Sequence, residues 1–273
     1  KKKQKKKPVK LTAHNIINHH PGKYKKKKKI YDVFIGKEIL KKAKRLIALT
    51  PENLKQYKDV LKSSKKKTAI IPNGIQDYRK KQKDKELLKK LGNPKKVILF
   101  LGRIVEYKGC QHIIKALPEI LKKYPSTKAL FVGKDGGYTN TLKAMAKRYD
   151  VDKYCIFTGK VDSIEPYFSI SDTFVFPSMG EGFGLSPVEA MSVGIPAILM
   201  DKGGLKYVLK DIGGFPITPK PDIEKQIIKH INTIFSDKKI KEHMKSTIRA
   251  TKKYRWDKIA DSHLKLFEEA IKR

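Results

Sequence analysis

"TFVFPSMGEGFGLSPVEAMSVGIPAILM" (residues 173–200) decides how this chain is read. It opens on one apolar run, "TFVFPS" (173–178), and closes on another, "PAILM" (196–200). Short runs of that kind read as buried strands. Between them stand a glycine-rich turn, "GEGFGL", and Ser186-Pro187, residue types that start a helix. Strand, turn, helix, strand is one βαβ unit with parallel strands. Ser186 to Glu189 also fits the S-x-x-E capping box, in which the serine caps the helix and Glu189 reaches back to the Ser186 N–H. A turn this rich in glycine can present its backbone N–H groups to a ligand, and the helix N-terminus adds partial positive charge, which together make a phosphate site. Glu181 and Glu189 flank it. Capping is one account of Glu189 and ligand binding another, and the local sequence leaves both open.

The same alternation runs outward. Downstream, the tail from Asp222 reads as helical, ending in "WDKIADSHLKLFEEAIKR". Upstream, "KVILFLG" (96–102), "KALFVG" (128–133) and "CIFTG" (155–159) read as strands, and "TLKAMAKRY" (141–149) as a helix. A helix over about 110–123 places Ile113, Ile114, Leu117, Ile120 and Leu121 on one face. Pro118 argues against its continuity, because an interior proline costs about 3 kcal/mol. In the first third, "VKLTA" (9–13), "RLIAL" (45–49) and "TAIIP" (68–72) read as strands and "IYDVFIGKEILKKAK" (30–44) as a helix. Thr50-Pro51 supplies an N-cap and first-turn proline for a helix over "ENLKQYKDVLK". Asn73-Gly74 closes the third strand as a turn, and the lysine-rich segment 76–96 reads as a linker. The fold class is therefore α/β, with two Rossmann-like lobes, the first about half the expected size.

Charge is unevenly spread. Of the 273 residues, 1–96 hold 33 Lys and Arg against 7 Asp and Glu, whereas 97–273 hold 30 against 20, so most of the net +36 lies in the first third. Such a segment meets phosphates, an acidic lipid surface or nucleic acid, unless it is merely a solvated lysine-rich face. The two cysteines, Cys110 and Cys155, lack C-x-x-C spacing, which argues for a reducing compartment and against a disulfide framework or thiolate metal site. No apolar run approaches the roughly 18 residues of a membrane span, and the basic start lacks the apolar core of a signal peptide. The expected place is the cytoplasm, in solution or peripheral at the membrane face.

A second constellation, "GRIVEYKG" (102–109), follows strand 97–101 directly. Arg103 offers a planar fork of donors beside Gly102, and Lys108 a point charge. With the 182–185 backbone they describe a pocket for a nucleoside diphosphate.

These segments resemble the family 4 (GT-B) glycosyltransferases. "IIPNGI", "GRIVEYKG", "LFVGKDGG", "IFTGKVD", the 172–198 stretch, "DKGG" and "YRWDKIADSHLKLFEE" stand in the family's order and spacing. The E-x7-E element of Glu181 and Glu189 is the most specific of them. The resemblance implies a GT-B fold and a retaining transfer of a hexose from a nucleoside-diphosphate sugar to a lipid-linked or glycan acceptor. It implies donor-sugar contacts at Glu181, ribose contacts at Glu189, and diphosphate contacts at Gly102, Arg103, Lys108 and the Gly182, Phe183, Gly184 and Leu185 backbone. His14, ending "KLTAH", matches the family's cleft histidine. The one D-x-D triplet, Asp150-Val151-Asp152, lies outside these motifs, and no metal or other cofactor is expected. The implied domains are a partial acceptor lobe (1–75), a linker (76–96), a nucleotide-sugar lobe (97–250) and a C-terminal helix (251–273) packing back toward the first lobe. Base contacts are expected near 133–136 and 159–161.

The chain departs from the family in two ways. It begins with Lys, and the family's opening segment with its acceptor-side glycine loop has no counterpart. Tyr207 stands where the family commonly has an acidic residue. The expectation of no metal agrees with the family's metal-independent habit. A donor-binding fragment with weak transfer is therefore the alternative reading. A nucleic-acid binder fits less well, since the lysine runs are not interleaved with aromatics for base stacking, and no nucleic-acid partner is expected. Donor base, donor sugar and acceptor are not legible in these residues.

Overall fold

The computed structural model describes residues 10–13, 45–55, 67–78, 82–219 and 221–271. His14, most of the first-third lysines and the helix expected over 30–44 lie outside the described residues. Two parallel sheets are present. The smaller has the order β1 (Lys10–Ala13), β2 (Arg45–Ala48), β3 (Lys67–Ile70), with Leu11 opposite Leu46 and Ile47 opposite Ala69. After β2, Thr50 caps residues 51–55 as a helical turn, its hydroxyl accepting from the Asn53 N–H at 3.3 Å.

The larger sheet has six strands: β4 (Lys96–Leu101), β5 (Thr127–Val132), β6 (Cys155–Gly159), β7 (Thr173–Phe176), β8 (Ala197–Met200) and β9 (Phe215–Ile217). Their spatial order is β6-β5-β4-β7-β8-β9, all parallel. The chain thus steps outward from β4 to β6, returns to lay β7 beside β4, and steps outward on the other side. That reversal opens a crevice beyond the carboxyl ends of β4 and β7, where doubly wound sheets bind ligands. The segments after those strands are "GRIVEYKG" and "PSMGEGFG".

Helices cover both faces, as parallel sheets require. They are α1 (Lys85–Lys90), α2 (Cys110–Lys123), α3 (Thr139–Arg148), α4 (Glu165–Ile170), α5 (Leu185–Ser192), α6 (Gly204–Asp211), α7 (Ile223–Ser236), α8 (Ile240–Thr251) and α9 (Trp256–Ile271). Helix α2 runs unbroken through Pro118. Its stripe of Ile113, Ile114, Leu117 and Ile120 is buried, and each such side chain contributes about 1.5–3 kcal/mol, enough to offset the proline. Leu121, expected on that face, is only partly buried. No helix among the described residues is long and apolar enough to cross a membrane.

Residues 73–74 form no turn, and Ile75 beside them pairs in parallel with Arg255. Glycine is needed at 74 because a Cβ there would collide with the indole of Trp256. From this crossover α9 runs back along the small sheet, where Ile259 packs with Ile47 and Ile71, and Arg45 approaches Glu269 at 4.0 Å.

Candidate active site

Leu101 ends β4 and Phe176 ends β7, so the loops that follow lie side by side. They are stitched together by the Met179 N–H, which donates to the Tyr107 carbonyl at 2.9 Å. This brings Lys108 onto Glu181, where its ammonium pairs with the Glu181 carboxylate, both side chains 14% exposed. The same Glu181 oxygen, Oε1, accepts from the hydroxyl of Ser178 at 2.8 Å. Lys108 also stands over the Phe176 ring at 5.1 Å and the Tyr107 ring at 5.6 Å. A carboxylate and two aromatic faces therefore hold this cation at the crevice. Ser178 and Tyr107 give no sequence motif of their own, and both were missed. Only a polar residue three positions before Glu181 and an aromatic beside Lys108 hinted at them.

Arg103 is exposed, and its Nη2 donates to the Tyr107 hydroxyl at 3.3 Å. The adjoining Gly102 N–H donates to the Val132 carbonyl at 2.9 Å. The Ile104 N–H donates to the Lys134 carbonyl at 2.9 Å, which ties this loop to the one after β5.

Helix α5 begins two residues earlier than the capping box implied, and the box does not form. Its N-cap is Gly184, with φ 103° and no side-chain cap, so Ser186 already lies within the first turn. The turn demands a left-handed residue just before Leu185, and a Cβ on Gly184 would sit 2.6 Å from Leu205 Cδ2. Glycine wins that position, and serine is displaced into the helix. The first-turn N–H groups are thereby left without a side-chain acceptor. Glu189, freed of the capping role, lies one turn further along. Burial lifts its carboxyl from an ordinary 4.5 to about 7. Gly182, Phe183 and Gly184 are buried and Leu185 is exposed. The Gly204 N–H donates to the Glu181 carbonyl at 2.9 Å, clasping the turn from the side of β8.

Tyr207 packs its ring on Phe183 at 6.5 Å between centroids, so this departure from the family pattern fills an aromatic cluster behind the turn. The structure thus joins Lys108 to Glu181 and sets the α5 N-terminus beside them. Arg103 engages Tyr107 instead, and His14 lies outside the described residues. A cavity of about 560 Å³ opens elsewhere, at the amino ends of β4, β7 and β8, with Lys96, Asp172 and Pro196 in its wall. It contains none of the predicted residues. The Lys108–Glu181 crevice is the candidate site, because charge, helix terminus and strand reversal coincide there. Both cysteine thiols are free and buried, and burial above all pushes Cys155 up to about 12 and Cys110 higher still, so neither supplies a thiolate near neutrality. Among the described residues no cluster of His, Cys, Asp and Glu could hold a metal ion.

Comparison with known proteins agrees on the family. The model of the glycosyl transferases group 1 family matches residues 79–253. An uncharacterized glycosyltransferase of Methanocaldococcus jannaschii is 29% identical over 182 residues, covering 64% of this chain and 45% of that protein. Alpha-monoglucosyldiacylglycerol synthase of Streptococcus pneumoniae is 32% identical over 136 residues, 48% of this chain and 31% of that protein. The chain thus spans about half, or less, of the length of these relatives. HepE of Anabaena, solved in complex with UDP, superposes with TM-score 0.81 at 19% identity, covering 96% of this chain and 72% of that one. The fold is that of GT-B glycosyltransferases.

Proposed function

The chain belongs to the glycosyl transferases group 1 family, and from that premise we propose that it binds a nucleoside-diphosphate sugar and serves retaining transfer of the hexose to a lipid-linked or glycan acceptor. The observation that carries the reading is the Lys108–Glu181 pair beside the uncapped N-terminus of α5. A diphosphate leaving group gathers negative charge as the glycosidic bond breaks, and preorganised donors stabilise it there. Lys108, Arg103 and the Gly182–Leu185 N–H groups are those donors. In the structure Lys108 is held by Glu181. On donor binding it turns to the phosphate, and the released Glu181 carboxylate accepts from sugar hydroxyls. Glu189 accepts from the ribose hydroxyls, and His14 serves the acceptor side. No carboxylate is assigned as a covalent nucleophile, and attack comes from the leaving-group face.

The acceptor side is read from charge. A first third this basic fits an anionic membrane surface and a lipid-linked acceptor at the cytoplasmic face, and the name of the pneumococcal relative refers to a lipid product. Calorimetric titration with UDP, GDP and ADP tests the donor side. Arg103→Ala and Lys108→Ala should each weaken binding by about 1.5–3 kcal/mol, the worth of a charge-assisted hydrogen bond. The loss should be larger for Lys108, whose removal leaves Glu181 unneutralised beside the phosphates. Unchanged affinity in both variants would refute the assignment.

A further inference from the structure

Tyr254 stands where three parts of the molecule meet. Its ring, 1% exposed, packs on Phe183 of the glycine turn, with centroids 5.2 Å apart at 51°. Its hydroxyl donates to Asp211 Oδ2 at the end of α6, a carboxylate that Lys253 also reaches at 2.7 Å. The opposite end of α6 holds the turn directly, through the Gly204 N–H on the Glu181 carbonyl. On its backbone side, the Tyr254 carbonyl accepts from the Ile75 N–H at 2.7 Å. Arg255 then pairs with Ile75, and the indole of Trp256 fills the space beside Gly74.

Close packing makes this a transmission path. Phe183 is 2% exposed, and a buried ring without free volume cannot shift unless its neighbours shift too. The turn that carries Phe183 is the one whose N–H groups would face a diphosphate. Tyr254, whose hydroxyl is held by Asp211 and also meets Tyr207, passes such a shift to its own backbone. That backbone is the crossover itself.

We propose that Tyr254 is a positioning residue that couples the Gly182–Leu185 turn to the crossover at Gly74 and Trp256, so that a nucleoside diphosphate on the turn is felt between the lobes. The proposal rests on the reading of that turn as the diphosphate site. It assigns a role to a tyrosine and an aspartate that touch no donor atom, and to the ring of Phe183, whose backbone N–H belongs to the turn.

Trp256 is the one tryptophan of the chain, so its fluorescence reports the crossover. UDP, GDP and ADP are titrated into the full chain, followed in parallel by calorimetry and Trp256 emission. The wild type should show an emission change with the same midpoint as the heat. Tyr254→Phe keeps the ring but loses the Asp211 bond. It should bind within about fivefold of wild type, the span of one hydrogen bond, while the emission change falls by half or more. Asp211→Ala should behave likewise, and it carries the test if Tyr254→Phe does not fold. Asp211→Asn keeps an acceptor for the phenol and should restore most of the signal, a rescue that general loosening would not produce. Binding without any emission change in the wild type, or full amplitude in both Tyr254→Phe and Asp211→Ala, overturns the coupling and leaves the diphosphate site standing. Absence of heat with all three nucleotides overturns the diphosphate reading, and the coupling falls with it.

Discussion

Between its ordinary 4.5 and its folded value of about 7, the Glu189 carboxyl is charged in the unfolded chain and largely neutral in the folded one. The folded state therefore holds more protons in this window, and stability falls as pH rises from about 4.5 to about 7. Above it the full cost of a buried charge remains. Glu189→Gln should consequently raise the ligand-free melting temperature at pH 8 and leave it near wild type at pH 4, with the slope between abolished. Ribose hydroxyls donate, so they favour the carboxylate. Nucleotide affinity of the wild type should rise with pH to a plateau above about 7, and Glu189→Gln should bind weakly at every pH. Calorimetry at pH 6 and pH 8 checks this, and a pH-independent affinity in the wild type would remove Glu189 from the ribose. The types of the polar site residues are legible in sequence because E-x7-E and the Arg/Lys loop are linear motifs. That Lys108 lies on Glu181 is not, since 73 positions of chain separate them.

At the scale of elements, the start of α5 shows how local signals compete. Ser186-Pro187 carries the usual signature of a helix start, yet Gly184 takes the cap. The backbone before Leu185 must be left-handed, which costs a residue with a Cβ roughly 1–2 kcal/mol, and the Leu205 side chain would have to shift to admit one. Ser186→Ala should then change stability by less than about 0.5 kcal/mol, as at ordinary sites, instead of the ~1 kcal/mol of a lost N-cap. Gly184→Ala should lower the melting temperature markedly and weaken nucleotide binding with it. Thermal denaturation of the two variants decides between the caps, and a larger loss for Ser186→Ala would restore the capping box. The long strands β4, β5 and β6 and the striped helix α2 were legible from apolar pattern. The short elements α1, α4, α6 and β9 were not. They run to 6, 6, 8 and 3 residues, too few for a period to stand out, and tertiary contacts hold them.

For the whole molecule, the charge asymmetry makes a prediction that no single residue makes. If the basic first third meets an anionic lipid surface, each exposed Lys near it adds about 1 kcal/mol, and screening removes this as the Debye length shrinks. The chain should sediment with anionic vesicles at low salt, release steeply as salt rises, and leave neutral vesicles in the supernatant. Equal binding to both kinds of vesicle would refute the membrane docking. The crossover adds a second expectation at this scale. Gly74→Val should displace the Trp256 indole, seen as a shift of its emission maximum, because the two occupy the same space.

By itself the sequence determined the alternation of strand and helix, the parallel class of the sheet, and the identity of the charged groups at the crevice. These follow from periodicity, glycine placement and residue chemistry, all of which act over a few positions of chain. Only the tertiary structure decided that β7 returns to lie against β4, which places Glu181 on Lys108. It alone decided that a glycine and not a serine caps α5, and that Gly74 is reserved for an indole 182 positions away. The physical reason is common to all three. Steric exclusion and ion pairing act across space, between groups whose separation along the chain carries no signal of their contact.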